Sequence, residues 1–154
     1  MKILLRPYTP SDFETLYRID QACYEPAVAY SRRELRNYMR FPNSDSIIAE
    51  IGRKPIGFIL TAHRDAWGYI VTIDVLARYR RIGAGSRLLI EAEKRLAADG
   101  VRHAALETAT DNPAAIAFWR KHGYRTRGVR KRYYPGGRDA FSMVKLLARI
   151  VPLP

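Results

Sequence analysis

Residues 74–86 read Asp74-Val75-Leu76-Ala77-Arg78-Tyr79-Arg80-Arg81-Ile82-Gly83-Ala84-Gly85-Ser86. They join two segments of different periodicity. Before them, Tyr69 to Val75 is a β-rich run. After them, from about Ser86 to Ala98, Leu88, Leu89, Ala92 and Leu96, with Ile90 beside them, form an apolar stripe at helical spacing that Gly100 ends. The two glycines let the backbone turn tightly and approach a ligand, and the start of the following helix offers free N–H groups and a partial positive charge. A strand–loop–helix of this kind is an anion site by construction. The plainer reading of the same residues is a tight turn with solvated arginines. A P-loop needs Gly-Lys-Ser or Gly-Lys-Thr, and neither occurs. The dinucleotide fingerprint needs a third glycine where Leu88 stands.

The flanking chain keeps the same alternation. Residues 2–6 read as a short strand. Thr9-Pro10-Ser11-Asp12 starts a helix whose apolar side is Phe13, Leu16, Tyr17, Ile19 and Cys23. Ser31-Arg32-Arg33-Glu34 is a capping box ahead of Leu35, Tyr38 and Met39. Ile47–Ile51 and Ile56–Leu60 form a hairpin around Gly52–Pro55, and Val101–Thr108 is a further strand. Asn112-Pro113 opens a short helix that Gly123 closes. Tyr124–Arg130 and Ala140–Leu146 are two last strands, joined through Tyr133-Tyr134-Pro135-Gly136-Gly137. This order predicts an α/β (α+β) single domain, a mixed sheet of about seven strands with helices on both faces, over residues 1–147. Residues 148–154 read as a C-terminal tail.

Composition narrows the partners. Among 154 residues, 27 Lys and Arg stand against 15 Asp and Glu, a formal charge of +12 that favours polyanions and phosphorylated ligands. Residues 112–138 hold eight Lys and Arg and no acid, interleaved with Tyr124, Tyr133 and Tyr134, which is the one feature suited to single-stranded RNA. The single Cys23 forms neither an internal disulfide nor a Cys-rich zinc site, and its place on an apolar stripe predicts an inert thiol. The three histidines are far apart, so no metal site is expected. No apolar run approaches the ~18 residues of a membrane span. The N-terminal residues are too soon interrupted to form a signal peptide. A cytoplasmic protein is the expectation.

Arg80-x-x-Gly83-x-Gly85 after a strand resembles the acetyl-CoA pyrophosphate loop of the GNAT N-acetyltransferases. Leu106 to Trp119, with its Asn112-x-x-Ala115-x-x-x-Trp119 spacing, is similar to the segment that follows in that family, and Lys121-His122-Gly123-Tyr124 resembles its helix end. Arg132-Tyr133-Tyr134-Pro135 and Asp139-Ala140-x-x-Met143 resemble the RimI-like subfamily, which acetylates protein N-termini, ribosomal proteins among them. The resemblance spans about Ile3 to Leu147. It implies a GNAT fold in which a splayed strand pair holds acetyl-CoA, and a monomer or weak dimer. Ile73 and Val75 would offer backbone groups to the pantetheine arm. Arg80, Arg81, Ile82, Gly83, Ala84, Gly85 and Ser86 would hold the pyrophosphate, with Arg78 and Arg87 nearby. Asn112, Ala115 and Phe118 would contact the pantetheine from the facing helix; Asn112 also reads as a plain helix cap.

Acetyl transfer to an amine needs a base for the ammonium, a hydrogen bond for the developing oxyanion and a proton for the departing thiolate. By the resemblance Glu107 is the base. The subfamily's usual acid is a tyrosine where this chain has Trp119, whose indole N–H donates a hydrogen bond but does not protonate a thiolate. Tyr69 is the replacement favoured here, with Tyr133, Tyr134 or water as others. Tyr24 and Glu25, with Tyr133 and Tyr134, would flank the acceptor groove. Arg138 departs from the glutamate common before Asp-Ala in relatives. The function expected is transfer of an acetyl group to a protein N-terminal amine by direct attack in a ternary complex. A small-molecule amine or lysine side chain as acceptor, and a basic RNA-binding module, are the alternatives.

Overall fold

Gly52 and Arg53 both lie in the left-handed region, with φ of +55° and +66°. They make the two-residue turn of a β-hairpin, the geometry that follows the natural twist of its strands. The computed structural model to which this hairpin belongs describes residues 2–147, so the expected tail 148–154 lies outside the described residues. The elements are β1 (Leu4–Pro7), α1 (Phe13–Cys23), α2 (Arg32–Met39), β2 (Asp45–Ile51), β3 (Lys54–Arg64), β4 (Trp67–Val75), α3 (Ala84–Ala98), β5 (His103–Ala109), α4 (Pro113–Lys121), β6 (Arg125–Arg130) and β7 (Ala140–Leu146). Most boundaries fall near those read from the sequence. Strand β3 continues beyond Leu60 because Thr61, Ala62 and His63 go on pairing with β4, polar residues included. Helix α3 starts at Ala84, two residues early, because Gly83 rather than a later residue takes the cap position.

The strands form one seven-stranded sheet in the order β1-β2-β3-β4-β5-β7-β6. Neighbours are antiparallel except β4 and β5, which run parallel across the α3 crossover. Helices α1 and α2 cover one face, where Phe13, Leu16, Ile19 and Leu35 pack on Ile48, Phe58, Leu60 and Val71. On the other face Leu88, Leu89, Ala92, Leu96 and Trp119 pack on Ile47, Ile59, Ile70, Leu106 and Met143. Helices on both faces are thus present. The cover is uneven, since the core beneath α1 and α2 contains no residue of β5, β6 or β7.

Two features of β4 open a gap in the sheet. Leu60 pairs with Thr72 and Thr61 with Ile70, so Val71 is an extra residue, a β-bulge. A bulge bends its strand and turns the side chains beyond it to the opposite face. Beyond it, β4 parts from β5: the two pair only from Trp67↔His103 to Tyr69↔Ala105, although both strands continue. Gly57 keeps β3 close here, since a Cβ would lie 2.4 Å from the Asp74 carbonyl oxygen.

Candidate active site

The gap between β4 and β5 opens above the loop that leads into α3. Arg81 (φ +64°) and Gly83 (φ +91°) both adopt left-handed backbone there. The cap at Gly83 has no side-chain hydrogen bond, so the first-turn N–H groups of α3 are not taken by the cap residue. Gly85 serves a different purpose: a Cβ would meet the Phe118 ring at 3.3 Å, closer than an unshifted ring allows. Helix α4 therefore packs directly on the loop. Ser86 Oγ lies 2.9 Å from His122 Nε2 and ties the start of α3 to the end of α4. Asn112 caps α4, its Oδ1 accepting the Ala115 N–H at 3.2 Å, so the plain reading of Asn112 is present in the structure.

Side chains already engage the gap edge of β4. The Tyr24 hydroxyl donates to the Ile73 carbonyl at 3.0 Å, and Arg80 Nε donates to the Val75 carbonyl at 2.8 Å. Each carbonyl keeps a second lone pair for a ligand. Tyr24 thus walls the gap rather than standing in an open groove, and burial, with the Asp74 charge next, pushes its pKa far up. Arg87 is displaced from the expected cluster: its guanidinium donates to the Ile3 carbonyl, which draws it toward β1. Arg78 stacks over Tyr79 at 5.3 Å.

Across the gap, Tyr69 donates its hydroxyl to Glu107 Oε2 at 2.6 Å. Arg130 Nε lies 3.4 Å from Glu107 Oε1, and the Tyr133 hydroxyl lies 3.3 Å from that of Tyr69. The register explains the meeting. Tyr69 is opposite Ala105 at the last paired position, and Glu107 is two residues further on the same face. Burial first, and the Glu107 hydrogen bond second, push the Tyr69 pKa far above the usual phenol value, so the hydroxyl stays protonated. Tyr30, Tyr38 and Tyr134 crowd the same place, and burial raises all three. Glu25 meets Arg138 at 2.9 Å, and Arg138 also meets Asp111 at 2.7 Å, so one side chain straps three loops together.

Beneath α1 lies a second acidic pair. Asp20 and Asp74 are fully buried, and each has one oxygen without a partner. Their other oxygens accept from the Tyr30 N–H at 2.8 Å and from Thr72 Oγ1 at 2.5 Å. Burial first, and the Asp20 charge second, raise Asp74 well above the usual carboxylate range; burial also raises Asp20, against the lowering effect of its hydrogen bond with Asp74. One proton shared between the two free oxygens satisfies both. The neighbouring Cys23 thiol is pushed up to about 11 by burial, then by Asp74, which keeps it un-ionised and inert.

The description "Acetyltransferase (GNAT) family" belongs to the family model that matches residues 13–124. The chain belongs to the GNAT family. It is 34% identical over 152 residues to an uncharacterized protein of Mycobacterium leprae, covering 92% of this chain and 40% of that protein. It is 44% identical over 73 residues to the N-alpha-acetyltransferase RimI of Mycobacterium tuberculosis, covering 47% of this chain and 44% of that one. The chain thus matches less than half the length of these two curated relatives. Among solved structures, Ard1 from Thermoplasma volcanium superposes with a TM-score of 0.88 at 25% identity, covering 97% of this chain and all of that one. The NatC complex bound to Gag peptide and CoA gives 0.80 at 26%, covering 96% of this chain and all of the matched chain.

This GNAT chain brings Glu107, Tyr69 and Tyr133 together, with Tyr134 beside them. It turns Trp119 into the core, edge-on to Tyr124 at 5.3 Å. Arg130, Arg138, Tyr30 and the Asp20–Asp74 pair were not singled out from the sequence as site residues. The sequence signal at Arg138 is its departure before Asp139-Ala140, and at Arg130 its place in the basic stretch 112–138; Tyr30 and the acid pair carry none, because their partners are distant in sequence. Among the described residues no three His, Cys, Asp or Glu side chains cluster to hold a metal, and no helix is long and apolar enough to cross a membrane.

Proposed function

We propose that the chain is an acetyl-CoA-dependent N-acetyltransferase whose acceptor is a protein N-terminal α-amine. One observation carries the reading: the hydrogen-bonded Tyr69–Glu107 pair stands where the β4/β5 gap begins, and the other end of the gap opens over the glycine loop. The residues fit the donor. Left-handed Arg81 and Gly83 shape the loop, Gly85 admits Phe118, and the first-turn N–H groups of Ala84, Gly85 and Ser86 suit a pyrophosphate. When bound, acetyl-CoA supplies an acetyl group activated as a thioester. Glu107 accepts the proton that the acceptor ammonium releases. The Tyr69 hydroxyl gives its proton to the departing sulfur and is refilled from Glu107, because its raised pKa disfavours the phenolate. The nitrogen loses two protons in all: the ammonium proton leaves through Glu107 to solvent before attack, and the second, taken by Glu107 as the amide forms, replaces the one Tyr69 gave to sulfur, so the pair ends as it began.

The N-terminal acceptor is favoured by the tyrosines that crowd the Tyr69–Glu107 pair, by the loops that Arg138 straps together, and by the N-alpha-acetyltransferase name among the relatives. A thermal melt with acetyl-CoA at a hundredfold excess over its dissociation constant should show stabilisation of about 3 kcal/mol. Thiol release should then follow addition of short peptides with a free N-terminus, and N-terminally blocked peptides should give none. No thermal shift, or equal release with blocked peptides, would overturn the proposal.

A further inference from the structure

The sheet face that α1 and α2 leave open continues outward from Glu107. Direct pairings place Ser142 beside Glu107, Val144 beside Ala105 and Leu146 beside His103, all on one face. Strand β6 extends that face with Arg125 opposite Val144, Gly128 opposite Ser142 and Arg130 opposite Ala140. All six residues of β6 are exposed. Trp67 stacks on His103, with ring centroids 4.6 Å apart and planes 18° apart, yet stays 45% exposed. The Arg127 guanidinium lies 5.7 Å above the Trp67 ring. Neither Arg125 nor Arg127 forms an ion pair among the described residues, while Arg130 links the same row to Glu107. An exposed tryptophan on a histidine, beside two unpaired arginines, is a surface short of a partner.

We infer that this face, from Arg130 to the Trp67–His103 stack, Arg125 and Arg127, docks the downstream part of the acceptor polypeptide and selects an acidic one. The inference rests on the N-terminal-amine reading and names its substrate class. Two observations decide the occupant. The face is continuous with the catalytic pair through Arg130, and its charge complements acid. The stack lies about 13 Å from Glu107, four residues of β5 at roughly 3.3 Å each. An extended acceptor reaches it with about its fourth or fifth residue. Arg125 and Arg127 then meet carboxylates there, and Trp67 offers its ring to the intervening apolar atoms.

The test uses three acceptors with the same first three residues: the tripeptide itself, and two extensions to about ten residues, one acidic and one neutral. Thiol release gives kcat/KM for each. The acidic extension should exceed the neutral one by about tenfold at low salt, and the ratio should collapse toward one at high salt. In an Arg125→Glu/Arg127→Glu variant with an unchanged melt, the ratio should invert. Equal rates for the two extensions in the wild type would overturn the inference and leave the enzyme reading standing. No acetylation of any acceptor, the tripeptide included, would overturn both. Tight binding of a single-stranded RNA oligomer that the variant loses, with equal peptide rates, would assign the face to nucleic acid instead.

Discussion

Asp74 and Glu107 stand on neighbouring strands, on the same face of one sheet, and do opposite work. Asp74 lies under α1 and no water reaches it. No cation among the described residues answers it, and burial with the neighbouring Asp20 raises its pKa, which favours a proton held between the two carboxyls. Glu107 lies where the helical cover has ended. It accepts from Tyr69 and borders Arg130. The side-chain chemistry is nearly the same in both. Cover decides which carboxyl is sealed in the core and which stands beside a cation and a phenol. The Val71 bulge draws the boundary, because it both opens the gap and turns Thr72 and Asp74 toward α1.

The largest expected effect separates the two carboxyls directly. Glu107→Gln should lower kcat by about a hundred- to ten-thousandfold, the usual contribution of a positioned base, with acetyl-CoA binding retained. Asp74→Asn should leave kcat within about twofold, since it keeps a neutral hydrogen-bonding group of the same shape. Steady-state kinetics beside calorimetric titration of acetyl-CoA reads both. Equal losses in the two variants would erase the distinction between them.

Gly83→Asp acts on the donor end alone. It places a side chain at φ +91°, a strain of about 1–2 kcal/mol, and a negative charge beside the expected pyrophosphate. Acetyl-CoA affinity should fall by well over about tenfold on the strength of the charge alone. Affinity at the wild-type level would take the glycine loop out of the site.

The smallest effect concerns stability against pH. The folded-state pKa of Asp74 is raised, so the folded protein holds more protons than the unfolded chain above about pH 4. The contribution of the pair is therefore complete below the unfolded carboxylate value and is lost as pH rises through the folded one. Urea melts should show that loss in the wild type, and Asp74→Asn should flatten it. Asp74→Ala, which strands Asp20 and Thr72, should cost about 1–3 kcal/mol. Identical pH slopes in wild type and Asp74→Asn would mean that no proton is shared.

Much of the fold was legible because its signals are local. The capping box at Ser31–Glu34 is present as read, with Ser31 accepting the Glu34 N–H at 3.1 Å. The Gly52–Arg53 turn and the Arg80-x-x-Gly83-x-Gly85 loop depend on backbone conformation that a few residues dictate. The edges of β3 were less legible, since Thr61 and His63 are polar residues on a strand paired along both sides. Of the candidate site, the sequence was enough to place Glu107 on the strand after α3 and Asn112 and Phe118 at and within α4. It was not legible where one residue meets another far along the chain, as Arg138 meets Glu25 and Asp111.

By itself, the sequence determined the order of strands and helices, the glycine loop and the placing of Glu107 on the strand after the crossover helix. These come from periodicity, turn chemistry and motif spacing, all confined to short stretches of chain. Only the tertiary structure decided which acids are buried, which carbonyls of β4 are engaged, and that among the described residues half of one sheet face lacks a helix. Those outcomes depend on one extra residue at Val71 and on where α1 and α2 come to rest. Burial and electrostatic environment are sums over neighbours that the chain brings together only when it folds.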